Sequence, residues 1–118
     1  MTSSLLALTF DCGDAAALAT FWSRVLGREV DADASGGFAS IGMSSASASN
    51  PAWFFIAVPE GKAGKNRFHP DLVATGFDEE VARVVGLGAT KVADIEEGGH
   101  HWVTLADPEG NEFDIVAG

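Results

Sequence analysis

The chain has 118 residues, of which 47% are hydrophobic and 9% aromatic, a composition typical of one globular domain with a core. Its formal net charge of −10 argues against nucleic acid and anionic membranes as partners, because both bind a basic face. No apolar run approaches the roughly 20 residues of a membrane span, and the N-terminus lacks the positive region of a signal peptide. The single cysteine, Cys12, excludes an intrachain disulfide. These features together predict a cytoplasmic, reducing setting.

The first half of the sequence predicts one strand, one helix and then three more strands. Residues 5–12 alternate loosely as a strand, and Asp14 is a typical N-cap for the helix that follows. Apolar residues recur at helical spacing at Leu18, Phe21, Trp22 and Val25. Gly27 is expected to end this helix. The further strands are predicted over 28–31, 37–43 and 53–58, with a small polar loop over 44–51.

The second half repeats this order after a linker over 59–67. A strand is predicted over 68–73, and Asp78 is the N-cap candidate of a second helix. The apolar stripe of that helix consists of Val81, Val84 and Val85. Gly88 ends the helix after Leu87, as Gly27 does after Leu26. A strand over 91–95 and a turn at Gly98-Gly99 come next.

The chain closes with a predicted hairpin over 102–116. Pro108, Gly110 and Asn111 supply the backbone angles that a reversal requires. Residues on both sides alternate or favour strands, and the turn places Thr104 opposite Asp114. Trp102 shares that face of the hairpin. Asp114 is therefore either an exposed strand charge or a carboxylate in a cavity.

The element order βαβββ, linker, βαβββ is an internal repeat and predicts an α+β fold. Module 1 is expected to cover about residues 1–60 and module 2 about residues 65–118 of a single domain. Each module gives a curved, mostly antiparallel sheet with one helix on its outer face. The inner faces of the sheets are then left to form a cleft.

Three motifs carry a family resemblance over nearly the whole chain. They are Phe-Trp-x-x-x-Leu-Gly at 21–27, Lys-Asn-Arg-x-His-x-Asp-Leu at 65–72 and Ala-Asp-Pro-Glu-Gly-Asn-Glu-Phe at 106–113. In this order they resemble the glyoxalase/bleomycin-resistance/extradiol-dioxygenase superfamily, also called vicinal oxygen chelate. More narrowly, the chain resembles its small glyoxalase-like proteins that are common in actinobacteria. The resemblance implies tandem modules that form a half-open barrel around a ligand or metal, and a homodimer.

The resemblance also implies four metal-ligand positions, which fall at Ala7, Ile56, His69 and Asp114. Neither Ala7 nor Ile56 can bind a metal. The two remaining ligands, His69 and Asp114, are fewer than a divalent ion usually has, because catalytic zinc and non-haem iron sites use three protein ligands. No cofactor is therefore favoured. If a divalent metal (Zn, Ni, Fe or Mn) binds, His69 and Asp114 are its expected ligands, supplemented by substrate, water, or residues such as Asp11, Asp71 or Glu112.

His69 and Asp114 are also the candidate catalytic residues, since imidazole titrates near neutrality and a carboxylate can assist it. For His69, a pocket-lining or sheet-bound histidine is the competing interpretation. The ligand-contact residues predicted by position and face are Ala7, Phe54, Ile56, Arg67, His69, Trp102, Thr104 and Asp114. The adjacent His100 and His101 must point to opposite faces, so one of them is expected at the mouth of the cleft.

Three hypotheses about function follow. The first is a metal-independent binder of a small organic compound, aromatic or antibiotic-like, because Ala7 and Ile56 make the cleft apolar. The second is a metal-dependent lyase, isomerase or dioxygenase of the superfamily that uses His69 and Asp114. The third is a non-catalytic dimerisation domain. Stoichiometric bound metal would favour the enzyme, and an apolar ligand that stabilises the metal-free protein would favour the binder. A protein that responds to neither would be the dimerisation domain.

Overall fold

The computed structural model describes residues 2–118 and divides into two units, the first ending at Gly61 and the second beginning at Lys62. The elements of the first are β1 (Ala7–Cys12), α1 (Ala15–Leu26), β2 (Phe38–Ile41), a 3₁₀ helix (Met43–Ser45) and β3 (Ala52–Ala57). Those of the second are β4 (Asp71–Ala74), α2 (Phe77–Leu87), β5 (Thr90–Glu97), β6 (His100–Ala106) and β7 (Glu112–Ala117). The predicted α+β class is confirmed. Within residues 2–118, no helix is long and apolar enough to cross a membrane.

The N-terminal unit is a three-stranded sheet in the order β1-β3-β2, with β1 parallel and β2 antiparallel to β3. Helix α1 packs on β2 and β3. The Asp14 side chain accepts a hydrogen bond from the Ala17 N–H, and Gly27 ends the helix with φ of 67°. The predicted apolar stripe of the helix is confirmed, because all four of its residues are buried.

Aromatic side chains fill the interface between α1 and its sheet. The fully buried Trp22 lies 5.0 Å from the ring of Trp53 and 5.5 Å from that of Phe10. Phe10 in turn lies 5.4 Å from the ring of Phe55, which is also fully buried. Burying such large rings stabilises the unit through both area and edge or stacking contacts.

The strand predicted over 28–31 is wrong, since the segment makes only a single bridge between Val30 and Ile41. The Asp31 carboxylate accepts hydrogen bonds from the Ser40 hydroxyl at 2.7 Å and from the Met43 N–H at 3.0 Å. These bonds hold the pKa of Asp31 below its ordinary value, with the Met43 N–H as the largest cause. The side chain thereby replaces part of the strand pairing. The N-terminal unit has three strands instead of the predicted four.

The C-terminal unit has the predicted βαβββ order. Its sheet runs β4-β7-β6-β5, with β4 parallel to β7 and the other pairs antiparallel. One face of the sheet is buried together with Val84 of α2. The buried strand residues of that face are Val103, Leu105, Phe113 and Ile115. This core is mainly aliphatic, unlike that of the N-terminal unit.

Two predicted boundaries in this unit are wrong. The strand expected over 68–73 begins only at Asp71, because the preceding Pro70 has no N–H to donate to a sheet. Helix α2 begins after Gly76 without a side-chain cap, and Asp78 lies inside its first turn. There the carboxylate still interacts favourably with the positive end of the helix dipole.

Both predicted turns of the C-terminal unit are confirmed. Gly98 and Gly99 have φ of 59° and 80° and join β5 to β6. Two residues with positive φ match the right-handed twist of the strands that they connect. Between β6 and β7, Asp107 Oδ1 accepts hydrogen bonds from the N–H groups of Glu109 and Asn111, both at 2.9 Å.

Candidate ligand-binding site in the C-terminal unit

The face of the C-terminal sheet opposite its buried core carries a cavity of about 650 Å³. Strict alternation in β6 and β7 produces this arrangement, because Thr104 and Asp114 face the cavity while their neighbours face the core. The apolar part of the lining consists of Val92, Ala93, Ile95, Trp102 and Val116. Ligand cavities in proteins commonly combine such an apolar wall with a few placed polar groups.

A β-bulge in β5 contributes to this wall. The pairing of β5 with β6 shifts between Lys91 and Ala93. Both Val92 and Ala93 consequently line the cavity, although adjacent strand residues normally point to opposite faces. The bulge thus adds apolar surface that strand alternation does not predict.

The polar side of the cavity centres on Asp114. Thr104 lies directly opposite Asp114 in the ladder, as predicted, and its hydroxyl donates to Asp114 Oδ1 at 2.6 Å. The other carboxylate oxygen, Oδ2, lies 3.8 Å from His69 Nδ1. The Asp114 side chain is only 14% exposed. Asp114 is therefore a largely buried carboxylate, with one oxygen held by Thr104 and the other directed toward His69.

Asp71 is the hydrogen-bond partner of His69. The two side chains meet at 3.0 Å between His69 Nδ1 and Asp71 Oδ1. Asp71 also pairs with Asp114 in the parallel register of β4 and β7, so both carboxylates lie on the same face of the sheet. One imidazole thus stands between two carboxylates at the edge of the cavity.

A third carboxylate, that of Glu112, forms ion pairs with lysines of the segment before β4. Lys62 Nζ lies 2.9 Å from Glu112 Oε1, and Lys65 Nζ lies 3.7 Å from Oε2. The hydrogen bond from Lys62 is the largest cause that lowers the pKa of Glu112, with a smaller contribution from the Asn66 N–H. These contacts attach the segment before β4 to the start of β7.

The adjacent histidines of β6 point to opposite faces, as predicted. His100 lines the cavity. His101 lies on the helix side, 4.6 Å from the ring of Phe77, with its Nε2 2.6 Å from Asp94 Oδ1. That hydrogen bond lowers the pKa of the exposed Asp94.

The remaining predicted ligand-contact residues do not line this cavity. Arg67 is exposed in the segment before β4, where no strand alternation fixes its direction. Ala7, Phe54 and Ile56 belong to the N-terminal unit. There Phe54 contacts the ring of Phe38 at 5.9 Å, and Ile56 is 39% exposed. The contributions of Arg67, Ala7, Phe54 and Ile56 to ligand binding stay predictions.

The C-terminal unit offers three potential metal ligands. One atom from each of His69, Asp71 and Asp114 lies within 4.8 Å of the others. One imidazole and two carboxylates form a donor set that suits a divalent first-row ion, and three protein ligands with open positions are typical of catalytic sites. His69 Nδ1 lies 3.0 Å from Asp71 Oδ1 and 3.8 Å from Asp114 Oδ2, and Asp114 Oδ1 is hydrogen-bonded to Thr104. The donor types and these distances fit a divalent ion.

The sequence predicted Asp71 only as a possible additional metal ligand. Of the apolar wall, it predicted only Trp102 as a ligand contact. Asp71 and His69 are two residues apart in sequence, and their side chains are in contact although only Asp71 belongs to a strand. Val116 follows from the alternation that identified Trp102 and Asp114. Val92 depends on the bulge, for which the sequence has no clear signal.

A family model described as "Glyoxalase-like domain" matches residues 7–116. The chain belongs to this family. The predicted membership of the vicinal oxygen chelate superfamily is thereby confirmed. A sequence search of curated proteins gives no significant match.

Several solved structures share the fold. A glyoxalase/bleomycin resistance protein/dioxygenase family enzyme from Burkholderia phytofirmans PsJN has a TM-score of 0.78 at 20% identity, over 98% of each chain. A mutant of the fosfomycin resistance protein FosX from Listeria monocytogenes, complexed with Mn(II) and 1S,2S-dihydroxypropylphosphonic acid, has 0.78 at 14%, over 100% of this chain and 92% of that one. Lactoylglutathione lyase from Agrobacterium tumefaciens has 0.68 at 17%, over 100% and 96%. At these identities the similarity shows the fold alone.

Proposed function

We propose that this glyoxalase-like protein binds a small organic compound on the open face of its C-terminal sheet, without requiring a tightly bound metal. One observation carries the proposal: a cavity of about 650 Å³ joins an apolar wall to a compact polar group. The wall around Trp102, Ile95 and Val116 suits a flat or branched hydrocarbon body. His69 and Asp114 are placed to fix the orientation of a polar substituent.

The absence of metal-binding atoms in the Ala7 and Ile56 side chains supports a metal-independent site. A four-ligand metal centre at the positions implied by the family cannot form with these two residues. The side chains that remain, His69, Asp71 and Asp114, already contact one another or Thr104. Such contacts give a polar binding site that does not depend on an ion.

We expect the chelator-treated protein to stay folded with an unchanged melting temperature and to be stabilised by apolar organic ligands. A ligand at about 100 times its Kd adds about 2.7 kcal/mol to the free energy of unfolding. A thermal-shift panel of aromatic and alicyclic compounds in the presence of EDTA measures both effects. Trp102→Ala should remove the response to ligand, whereas Phe77→Ala, on the helix side of the same unit, serves as the aromatic control. A large loss of stability with EDTA, or no response to any compound, contradicts the proposal.

The second candidate is a metal-dependent lyase, isomerase or dioxygenase of the superfamily. It is favoured by the three ligand atoms of His69, Asp71 and Asp114 that lie within 4.8 Å of one another. A divalent ion held there would supply Lewis-acid activation of a substrate oxygen. His69 would serve as ligand or, when its Nδ1 stays bonded to Asp71, as a base through its other ring nitrogen.

Metal analysis of the purified protein distinguishes the two candidates. The metal-dependent candidate requires about one divalent ion (Zn, Ni, Fe or Mn) per chain, lost in both His69→Ala and Asp114→Ala and retained in the control His101→Ala. The metal-independent candidate requires no stoichiometric ion. Titration with Mn²⁺ followed by electron paramagnetic resonance gives the affinity without an assay of activity.

We further propose that the two units act together as one domain and that the protein is a cytoplasmic homodimer. Family membership supports the dimer. The exposure of Phe68 and Val73, at 84% and 74%, supports burial of this edge by another chain. Light scattering after size exclusion measures the mass, and a monomer at micromolar concentration contradicts the dimer. The reduced, buried Cys12 is compatible with the cytoplasm.

A further inference from the structure

The cavity of the C-terminal unit is lined by more negative than positive charge. Its lining includes the carboxylates of Asp71, Glu112 and Asp114 but only one ammonium group, that of Lys65. Glu112 is compensated by Lys62 and Lys65. The excess negative charge therefore lies at Asp71 and Asp114, which both contact the imidazole of His69. The second imidazole of the lining, that of His100, is exposed.

Asp114 is the carboxylate most in need of a further donor. Its side chain is 14% exposed and lines the cavity. Thr104 satisfies Oδ1, but Oδ2 is 3.8 Å from His69 Nδ1, beyond hydrogen-bonding distance. An ionised carboxylate in a partly buried site is stabilised strongly by a donor that carries positive charge.

Trp102 lies next to this carboxylate on the same face. It pairs with Val116, whereas Thr104 pairs with Asp114, so Trp102 and Asp114 are diagonal neighbours on adjacent strands. Diagonal cross-strand neighbours lie about 7–8 Å apart, within reach of an indole ring. The face of an indole attracts cations, and its surface also accepts a hydrocarbon group.

We propose that the ligand of this cavity is an organic cation, an alkylammonium group attached to an apolar body. Its ammonium group donates to Asp114 Oδ2 and Asp71, and its apolar body packs on Trp102, Ile95 and Val116. This inference rests on the proposed small-molecule function and specifies the charge of the ligand. A carboxylate or phosphonate ligand would instead be repelled by the carboxylates of Asp71 and Asp114.

A matched series of probes tests the proposal. It consists of 2-naphthylmethylammonium, 2-naphthylmethanol and 2-naphthoate, which share a ring system and differ in charge. Binding is measured by calorimetry, because naphthyl probes absorb and emit light in the same range as tryptophan. EDTA is present throughout, so that divalent ions do not occupy the carboxylates.

We expect the ammonium probe to bind about tenfold more tightly than the alcohol, and the carboxylate probe to bind most weakly. Asp114→Asn and Asp71→Asn should each weaken the ammonium probe several-fold more than they weaken the alcohol. Asp78→Asn, a carboxylate on α2 of the same unit, is the control and should change neither. Because Asp71 is exposed, its variant keeps the test valid if Asp114→Asn does not fold.

The outcomes separate this inference from the proposed function. If the alcohol or the carboxylate probe binds as tightly as the ammonium probe, the cation preference is wrong and the cavity remains a binding site. If Asp71→Asn and Asp114→Asn weaken all three probes equally, the carboxylates act by shaping the site, and the inference fails. If no probe binds, the inference and the proposed function are both overturned.

Discussion

The two units build the same arrangement, a sheet with one helix on one face, but they use it differently. In the N-terminal unit, the helix side is a cluster of aromatic rings around the fully buried Trp22. In the C-terminal unit, the helix side is aliphatic, around Val84, and the tryptophan lies on the other face in the cavity. The aromatic residues of the first unit therefore fill its core, whereas the tryptophan of the second unit lines a cavity.

The two units also differ at the positions where the family places metal ligands. In the C-terminal unit they hold His69 and Asp114, which are close together beside Asp71. In the N-terminal unit they hold Ala7 and Ile56, which have no polar side-chain atom. Repeating a fold therefore does not repeat its chemistry, because chemistry depends on individual side chains that the backbone architecture does not constrain.

The largest expected effect tests the contrast between the two tryptophans. Trp22→Ala should lower the free energy of unfolding by about 3–5 kcal/mol, because it leaves a cavity among Phe10, Phe21 and Trp53. Trp102→Ala should cost clearly less, since this side chain is half-exposed. Urea denaturation of both variants measures the difference. Equal losses would remove the distinction between a stabilising and a ligand-binding tryptophan.

An intermediate effect is expected from the polar part of the cavity. Thr104→Val removes the hydroxyl that donates to Asp114 at 2.6 Å and leaves a largely buried carboxylate oxygen without it. We expect a loss of about 1–3 kcal/mol at neutral pH, measured by the same denaturation. Thr20→Val, which removes an exposed hydroxyl bonded to the Ala16 carbonyl, is the matched control. If Thr104→Val leaves the free energy of unfolding unchanged, water replaces the hydroxyl at Asp114 and the prediction is wrong.

The smallest effect concerns Asp31 of the N-terminal unit and depends on pH. Its folded-state pKa lies below the ordinary value of 3.8, chiefly because the Met43 N–H and the Ser40 hydroxyl bond its ionised form. The stabilisation is thus present above about pH 4 and is lost as the pH falls through the lower folded-state pKa. Asp31→Asn should cost about 1 kcal/mol at pH 7 and progressively less in acid.

Denaturation curves of the wild type and Asp31→Asn between pH 7 and pH 3 measure this effect. The Glu112→Gln variant provides the counterpart in the C-terminal unit, since Lys62 lowers the pKa of Glu112 in a similar way. A difference between wild type and Asp31→Asn that grows in acid would contradict the assignment of the depressed pKa.

The sequence by itself determined the features that depend on neighbouring residues. Helix α1, with its Asp14 cap and Gly27 end, follows from local spacing and backbone preference, as do the Gly98-Gly99 turn and the closing hairpin. The motifs in that order also indicated the family. The pairing of Thr104 with Asp114 was predictable because the intervening turn fixes the register.

Only the tertiary structure decided which side chains meet across the C-terminal sheet. Asp71 comes beside Asp114 because β4 pairs with β7 in parallel, a contact between segments distant in sequence. The bulge in β5 brings Val92 into the cavity, and Asp31 replaces a predicted strand with side-chain hydrogen bonds. Local periodicity specifies which face a residue occupies on its own strand. It does not specify which distant strand lies alongside, because that choice minimises the free energy of the whole packed unit.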